Sequence, residues 1–235
     1  MEKQQENQRA VKEIVRRSRK RIPSLWVWDD LESRLNFAMD RSSFMTVPEL
    51  IVLPSREEEL LRFMELIQDF PVPLTPQGAR TGMSGGAVPV RGGIVISMLR
   101  MRKILSVQRH NRLVTVHPGV ITGRLHKSLE KKGFFYPPDP ASLAICTLGG
   151  NIAEDAGGPR AVKYGVTHDY VLGLRVLLSD GRRLSLGGET LKDVAGYRLA
   201  SIFTGSEGTL GIITRATLRI LPLPRTRLLL LCLFP

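Results

Sequence analysis

Cysteine is scarce in this chain: Cys146 and Cys232 are the only two among 235 residues, too few for a disulfide framework. No Cys/His spacing resembles a metal site, so no metal is expected. Long apolar runs are missing too. The longest, Leu228 to Phe234, falls far short of the roughly 20 residues that cross a bilayer. Residues 1–24 are polar and basic, without the apolar core of a signal peptide. Together these absences lead us to expect a reducing, cytoplasmic compartment. Acidic residues are also under-represented, with 22 Asp and Glu against 34 Lys and Arg, a formal net charge of +12. Such a balance raises the question of nucleic acid. The charge is dispersed, however, between Arg16-Arg17-Ser18-Arg19-Lys20-Arg21 and scattered positions such as Arg100, Arg102, Lys103, Lys131, Lys132, Arg182 and Arg183. No helix-turn-helix, zinc-finger or aromatic RNA-binding signature accompanies it. A basic surface facing an anionic ligand or an acidic partner subunit is therefore expected, not specific nucleic-acid recognition. What remains is globular, because 43% hydrophobic residues suffice for the core of one large domain or two small ones.

Glycine is plentiful, and it is clustered. Three stretches combine it with small or hydroxyl residues: Pro76 to Gly86, Gly149 to Gly158, and Gly205 to Gly211. Such composition lets backbone N–H groups approach a ligand with no Cβ in the way. One loop of this kind is ordinarily a turn. Three, each beside an apolar strand-like segment, point to a single long ligand touched at several places, of dinucleotide size. The first loop has neither the lysine–hydroxyl ending of a phosphate-binding Walker loop nor a GxGxxG run. This weighs against kinase, ATPase and Rossmann readings.

Along the chain, Val11, Ile14 and Val15 predict a short amphipathic helix over 8–21, its apolar stripe thin enough to suggest docking on a neighbour and not a core. A second helix is expected from Asp29 to Met39, with Leu31, Leu35 and Met39 on one face. Leu50 to Leu53 reads as a buried strand. Ser55 with Glu58 reads as a capping box opening a helix with Leu60, Leu61, Phe63, Met64, Leu66 and Ile67 on a wide face. Val72 to Leu74 is expected to be a strand running into the first loop, and Gly93 to Leu99 another. Ile104–Gln108 and Leu113–His117 read as a hairpin. Thr122 is the expected N-cap of a helix reaching Lys132, with Gly133 at C′. Asp180-Gly181 marks a hairpin between Val171–Ser179 and Arg182–Leu186. A helix within Asp193–Phe203, a strand over Leu210–Leu221 and an apolar strand in Arg227–Pro235 complete the set. With frequent hairpins the sheets cannot be purely parallel, and the class is α+β.

In this order the segments resemble the FAD-binding domain of the vanillyl-alcohol oxidase/p-cresol methylhydroxylase type, and within it the glycolate oxidase FAD subunit and D-lactate dehydrogenase branch. The match runs from about Pro48 to Pro224. It rests on Gln77-Gly78-Ala79-Arg80-Thr81-Gly82 with Ser84-Gly85-Gly86, Tyr136-Pro137-Pro138-Asp139-Pro140, Thr147 to Gly158, Lys163 to Val166, Val194 to Tyr197, and Gly205 to Thr214. The resemblance implies two α+β subdomains with mixed sheets and FAD held between them. It divides the chain into a basic helical extension over 1–45, the FAD-binding domain over 46–225, and the first strand of a cap domain over 226–235. Gln77, Gly78, Ala79, Arg80, Thr81, Gly82 and Ser84 would form a nest for the pyrophosphate, although Arg80 stands where the family more often has glycine and Gln77 where it more often has arginine. Asp139, Thr147, Gly149, Gly150, Glu154, Asp155, Ala156 and Gly157 would line the flavin ring and ribityl chain. Glu207, Gly208, Leu210, Gly211, Ile212 and Ile213 would meet the adenine or isoalloxazine end. Where some members carry a flavin-tethering histidine, this chain has Thr81, which implies dissociable FAD. His110, His117, His126 and His168 are read as structural or exposed, and no catalytic residue is assigned. The implied activity is oxidation of a hydroxy acid such as glycolate or D-lactate by hydride transfer to flavin. The resemblance implies that the cap shaping the substrate pocket is to be expected outside residues 1–235. A partner subunit supplying that cap, or an iron–sulfur electron acceptor, is therefore expected. The alternative is a non-catalytic or electron-relaying FAD subunit of a larger complex.

Overall fold

Two β-sheets organise the computed structural model, which describes every residue except Met1, Arg227, Leu229 and Pro235, with side chains described from Arg9 onward. The first sheet holds β1 (Trp26–Trp28), β2 (Leu50–Leu53), β3 (Leu74–Gln77) and β4 (Ile94–Ser97), in the order β1-β2-β4-β3. Both β2 and β3 run parallel to β4, and β1 is an antiparallel edge. All residues of β2 and β4 are buried, as parallel strands covered on both faces should be. Their side chains alternate between two apolar clusters: Leu50, Val52, Ile94 and Ile96 point to one, Ile51, Leu53 and Val95 to the other.

The larger cluster is closed by α1 (Glu2–Arg21) and α3 (Glu57–Ile67). The thin stripe expected merely to dock is in fact core: Val11, Ile14 and Val15 pack with Leu60, Phe63 and Met64, and Ile14 is fully buried. Two local expectations shift. Ser55 does not pair with Glu58; its backbone N–H donates to Glu59 Oε2 at 2.7 Å, one residue further on. The Asp29–Met39 helix shortens to α2 (Leu31–Leu35), capped by Asp30, whose carboxylate accepts from Ser33 N. Leu31, Leu35 and Met39 remain exposed, so no apolar face held a longer helix together. The chain turns instead through Phe37, which is buried against β2 and β4.

The second sheet is wholly antiparallel, ordered β5-β6-β10-β8-β9, from β5 (Ile104–Gln108), β6 (Leu113–Val116), β8 (Val171–Leu177), β9 (Arg183–Gly187) and β10 (Ile212–Arg219). Both expected hairpins are present. One face of the sheet packs on α4 (Thr122–Glu130) and α5 (Leu148–Ala153) through Val114, Val116, Val176, Ala216, Leu125, Leu129, Leu148 and Ile152. A two-stranded ribbon, β7 (Phe134–Phe135) with β11 (Leu221–Pro222), and the short helices α6 (Ala161–Tyr164) and α7 (Leu199–Phe203) complete the layer. Thr122 is not the N-cap of α4. Its backbone is already helical, and its buried hydroxyl accepts from Asn151 Nδ2 at 2.7 Å. The described residues of 227–235 form no strand, and Leu228, Leu230, Leu231, Leu233 and Phe234 stand exposed; Arg227, Leu229 and Pro235 lie outside the described residues.

The sheets are joined in two ways. Leu177 of β8 and Ile212 of β10 enter the core of the first sheet. Buried Glu57 on α3 pairs with Arg175 on β8 at 3.2 Å and approaches Arg183 on β9 at 3.8 Å. The result is a mixed α+β fold with a seam between its halves.

Candidate cofactor site

All three glycine stretches open onto that seam. The first leaves the carboxyl end of β3, where ligands gather in sheets with parallel strands. The second forms α5, with the Thr147 hydroxyl accepting from Gly150 N at its start. The third turns from α7 into β10. They are tied to one another: Gly205 N and Glu207 N donate to Ile152 O and Ala153 O, each at 2.9 Å, and Ser84 Oγ donates to Glu154 Oε2 at 3.0 Å. At Gly78 a Cβ would collide with the Thr147 hydroxyl, so glycine is required there, and at Gly86 it would displace the Glu207 carboxylate.

Between them lies one cleft, about 950 Å³ when the open solvent at its mouth is counted, and residues of all three stretches line it. Of the residues expected at a cofactor, Gln77, Gly78, Ala79, Arg80, Thr81, Gly82, Thr147, Gly149, Gly150, Glu154, Ala156, Glu207, Gly208, Gly211, Ile212 and Ile213 line it. Ser84, Asp139, Asp155, Gly157 and Leu210 do not. Ser84 reaches it only through Glu154. Asp139 turns to Arg160, 3.1 Å away. Asp155 accepts from His168 N at 2.8 Å and meets its ring Nδ1 at 2.6 Å. Gly157 packs beside Val166, and the Leu210 side chain faces outward.

Sequence reasoning missed other walls. Pro140 and Gly86 belonged to quoted motifs and Pro118 directly follows the expected strand Leu113–His117, but Met98 and Ala87 carry no local signal and arrive through the fold. Also missed was the turn at residues 37–46 that buttresses the first loop. Arg41 N donates to Gly82 O at 3.0 Å, and Gln77 Nε2 donates to Phe37 O at 3.1 Å and Ala87 O at 2.5 Å. Among the described residues that line the cleft there is no histidine. His110 is exposed, His126 is buried against Pro138 O at 3.0 Å, His168 pairs with Asp155, and His117 is held below the usual histidine range by burial and by nearby Arg215 and Lys103.

The electrostatics are uneven. Burial first, then repulsion from Glu207 and Asp40, pushes the Glu154 carboxyl up, although the Ser84 hydroxyl bond opposes this. Burial lowers the Arg80 guanidinium. A flavin dinucleotide fits this lining: bare glycine backbone and one guanidinium suit an anionic diphosphate, while Met98, Pro118, Ile212 and Ile213 offer apolar walls to a flat ring.

A two-sheet fold with a glycine-lined cleft along its seam defines a dinucleotide-holding domain. Comparison with known proteins makes this specific. Residues 48–187 match the family described as an FAD binding domain, and the chain belongs to that family, in its p-cresol methylhydroxylase-type form. It is 43% identical over 207 residues to the glycolate oxidase subunit GlcD of Bacillus subtilis, covering 88% of this chain and 44% of that protein. It is 45% identical over 179 residues to a D-lactate dehydrogenase of Anaerostipes hadrus, covering 76% and 38%. Among solved structures, an alkyldihydroxyacetonephosphate synthase superposes with a TM-score of 0.80 at 30% identity, over 92% of this chain and 41% of that one. The chain thus spans less than half the length of the curated relatives it matches.

Proposed function

We propose that this chain is the flavin-holding part of an oxidoreductase that acts on a D-2-hydroxy acid of the glycolate or D-lactate type. The observation that carries the reading is the convergence of three sequence-distant glycine turns on one cleft, in a chain similar to a glycolate oxidase subunit and to D-lactate dehydrogenases. FAD, when bound, would supply the two-electron acceptor. The hydroxy acid would give up two electrons and two protons and leave as the 2-oxo acid.

The chain's own part is placement. Gly78, Gly149, Gly150 and Gly208 bring backbone against the cofactor, and Met98, Ile212 and Ile213 keep water from it. FAD is held without a covalent bond in this reading, because no histidine, cysteine or tyrosine is among the described residues that line the cleft. The 46–225 span is then the flavin domain. The substrate pocket and its base come from polypeptide that covers the exposed Val194, Tyr197, Leu199 and Ile202, whether a cap or a partner subunit. Among the described residues no helix is long and apolar enough to cross a membrane, and Cys146 and Cys232 are free; the free thiols suit a reducing, cytoplasmic setting.

The test is spectroscopic. Purified protein reconstituted with FAD is expected to show a flavin spectrum that unfolding in denaturant returns to that of free FAD. Anaerobic addition of glycolate or D-lactate, alone and then with a candidate partner subunit, is expected to bleach it. Protein that takes up no flavin would overturn the reading. Flavin that stays oxidised with every hydroxy acid, partner present, would leave only an electron-relaying role.

A further inference from the structure

The outer face of the second sheet carries a row of basic side chains that neither the cleft nor the core uses. Val116, Ala216, Leu174 and Leu186 point into the core under α4 and α5, so their strand neighbours project to the opposite face. The antiparallel register pairs Arg215 with Arg175, and Arg175 with Ser185. The pairs Ala216–Val116 and Ile104–Val116 carry the row on to His117 and Lys103, where His117 N donates to Lys103 O at 2.9 Å. Lys103, His117, Arg215 and Arg175 thus stand side by side, one from each of four adjacent strands or the residue at its end. Directly opposed side chains of this kind start about 5 Å apart, and like charges there repel. Helix α3 answers one end of the row, because Glu57 meets Arg175 at 3.2 Å and Arg183 at 3.8 Å. The centre has no such partner. Among the described residues nothing accepts from the Arg215 side chain: its Nε is sealed from solvent and unpaired, while its terminal nitrogens stay open to solvent. His117 Nδ1 beside it is sealed and unpaired as well. A row that was simply solvated would not leave two neighbouring polar atoms without a partner.

We infer that this row is a binding site for a phosphate-type dianion, free or carried as a phosphate ester, held by the Arg215 guanidinium with His117 and Lys103. A dianion offsets two neighbouring cations at once, and its several oxygens can take the guanidinium fork and the imidazole together. Four charged groups face His117 from the elements around it. Arg215 and Lys103, with burial, disfavour its proton, and Glu57 and Glu58 on α3 favour it. Glu57 is already engaged by the arginines at the end of the row, so the centre stays positive. None of these residues lines the cofactor cleft, and the inference does not depend on the flavin reading. The two sites are nevertheless close along the chain, since the cleft walls Pro118 and Ile213 lie one residue from His117 and two from Arg215.

Inorganic phosphate and methyl phosphate are to be titrated into the full chain, as wild type, Arg215→Gln and Lys103→Gln, against chloride at equal ionic strength. The ring signals of the four histidines are followed by NMR across the pH range. On wild type, phosphate is expected to raise the His117 midpoint by about one pH unit or more, as an opposite charge at hydrogen-bonding range does, and to leave His110, His126 and His168 in place. Arg215→Gln is expected to bind phosphate about tenfold or more weakly, and Lys103→Gln to weaken it less. Without phosphate, Arg215→Gln removes a like-charge contact, so its unfolding midpoint should equal or exceed that of wild type, which separates a lost site from a damaged fold. A response to methyl phosphate alone would assign the site to phosphate esters, and a response to inorganic phosphate alone to the free ion. The inference falls if chloride matches both phosphates or if His117 does not respond to either. It falls equally if Arg215→Gln binds phosphate like wild type, which would place the ion elsewhere.

Discussion

Glu154 and His168 show how single side chains set the pH behaviour of the cleft and its rim. The Glu154 carboxyl is raised above its unfolded value by burial and by Glu207 and Asp40, so the folded protein binds its proton more tightly than the unfolded chain does. Its charge therefore costs stability above the folded pKa, and the cost disappears below the unfolded value of about 4.3. Glu154→Gln is expected to raise the thermal midpoint at pH 7 and leave it unchanged near pH 4, measured by scanning calorimetry. His168 behaves oppositely. It is raised chiefly by its hydrogen bond to Asp155, so its contribution is fully present below the unfolded value of about 6.5 and is lost as pH rises through the folded pKa. Asp155 sits at φ 49, a conformation that asparagine also accepts. Asp155→Asn should keep the turn while flattening the fall in stability from pH 6 upward; a slope equal to wild type would count against the pair.

The elements were legible where local pattern and packing agree. The two hairpins follow from turn chemistry and the buried β2 from its unbroken apolar run, and no later contact overrides either. The start of α3 shows the reverse case. Spacing favoured Glu58, yet Glu58 is exposed while Glu59 is buried and receives both the backbone N–H and the hydroxyl of Ser55. Glu59→Ala should cost about 0.5–2 kcal/mol, as loss of a cap does, and Glu58→Ala close to nothing, by urea titration. The same difference explains α1 and α2. Three apolar positions in α1 looked thin alone, but α3 and the sheet supply the rest of that core, and Ile14→Ala should cost about 2–5 kcal/mol. In α2 the apolar positions stay exposed, and the helix stops after Leu35. The glycine turns could be read because backbone exposure is written in composition. Met98, Ala87 and the Phe37 turn could not, since a wall supplied by topology leaves no trace in its own neighbours along the chain.

For the whole molecule, the cleft exists only while both sheets hold their relative position. Its first loop belongs to the first sheet and its third to the second, and few charged contacts cross between them. Glu57 is central to these, buried on α3 and facing Arg175 and Arg183, with the unpartnered Arg215 Nε nearby in the same strand layer. Removing the carboxylate leaves several like charges uncompensated, and the loss from such a site exceeds that of a surface pair. Since Glu57 does not line the cleft, a change there can reach the cofactor only through the seam. Glu57→Ala is expected to lower stability by about 1–3 kcal/mol and to weaken FAD binding while leaving the spectrum of bound flavin unchanged. Because ligand binding to the folded state alone adds about 2.7 kcal/mol at a hundredfold excess over Kd, saturating FAD should recover much of the lost midpoint. A variant that loses stability yet binds FAD as tightly as wild type would show that each half closes its part of the cleft without help from the other.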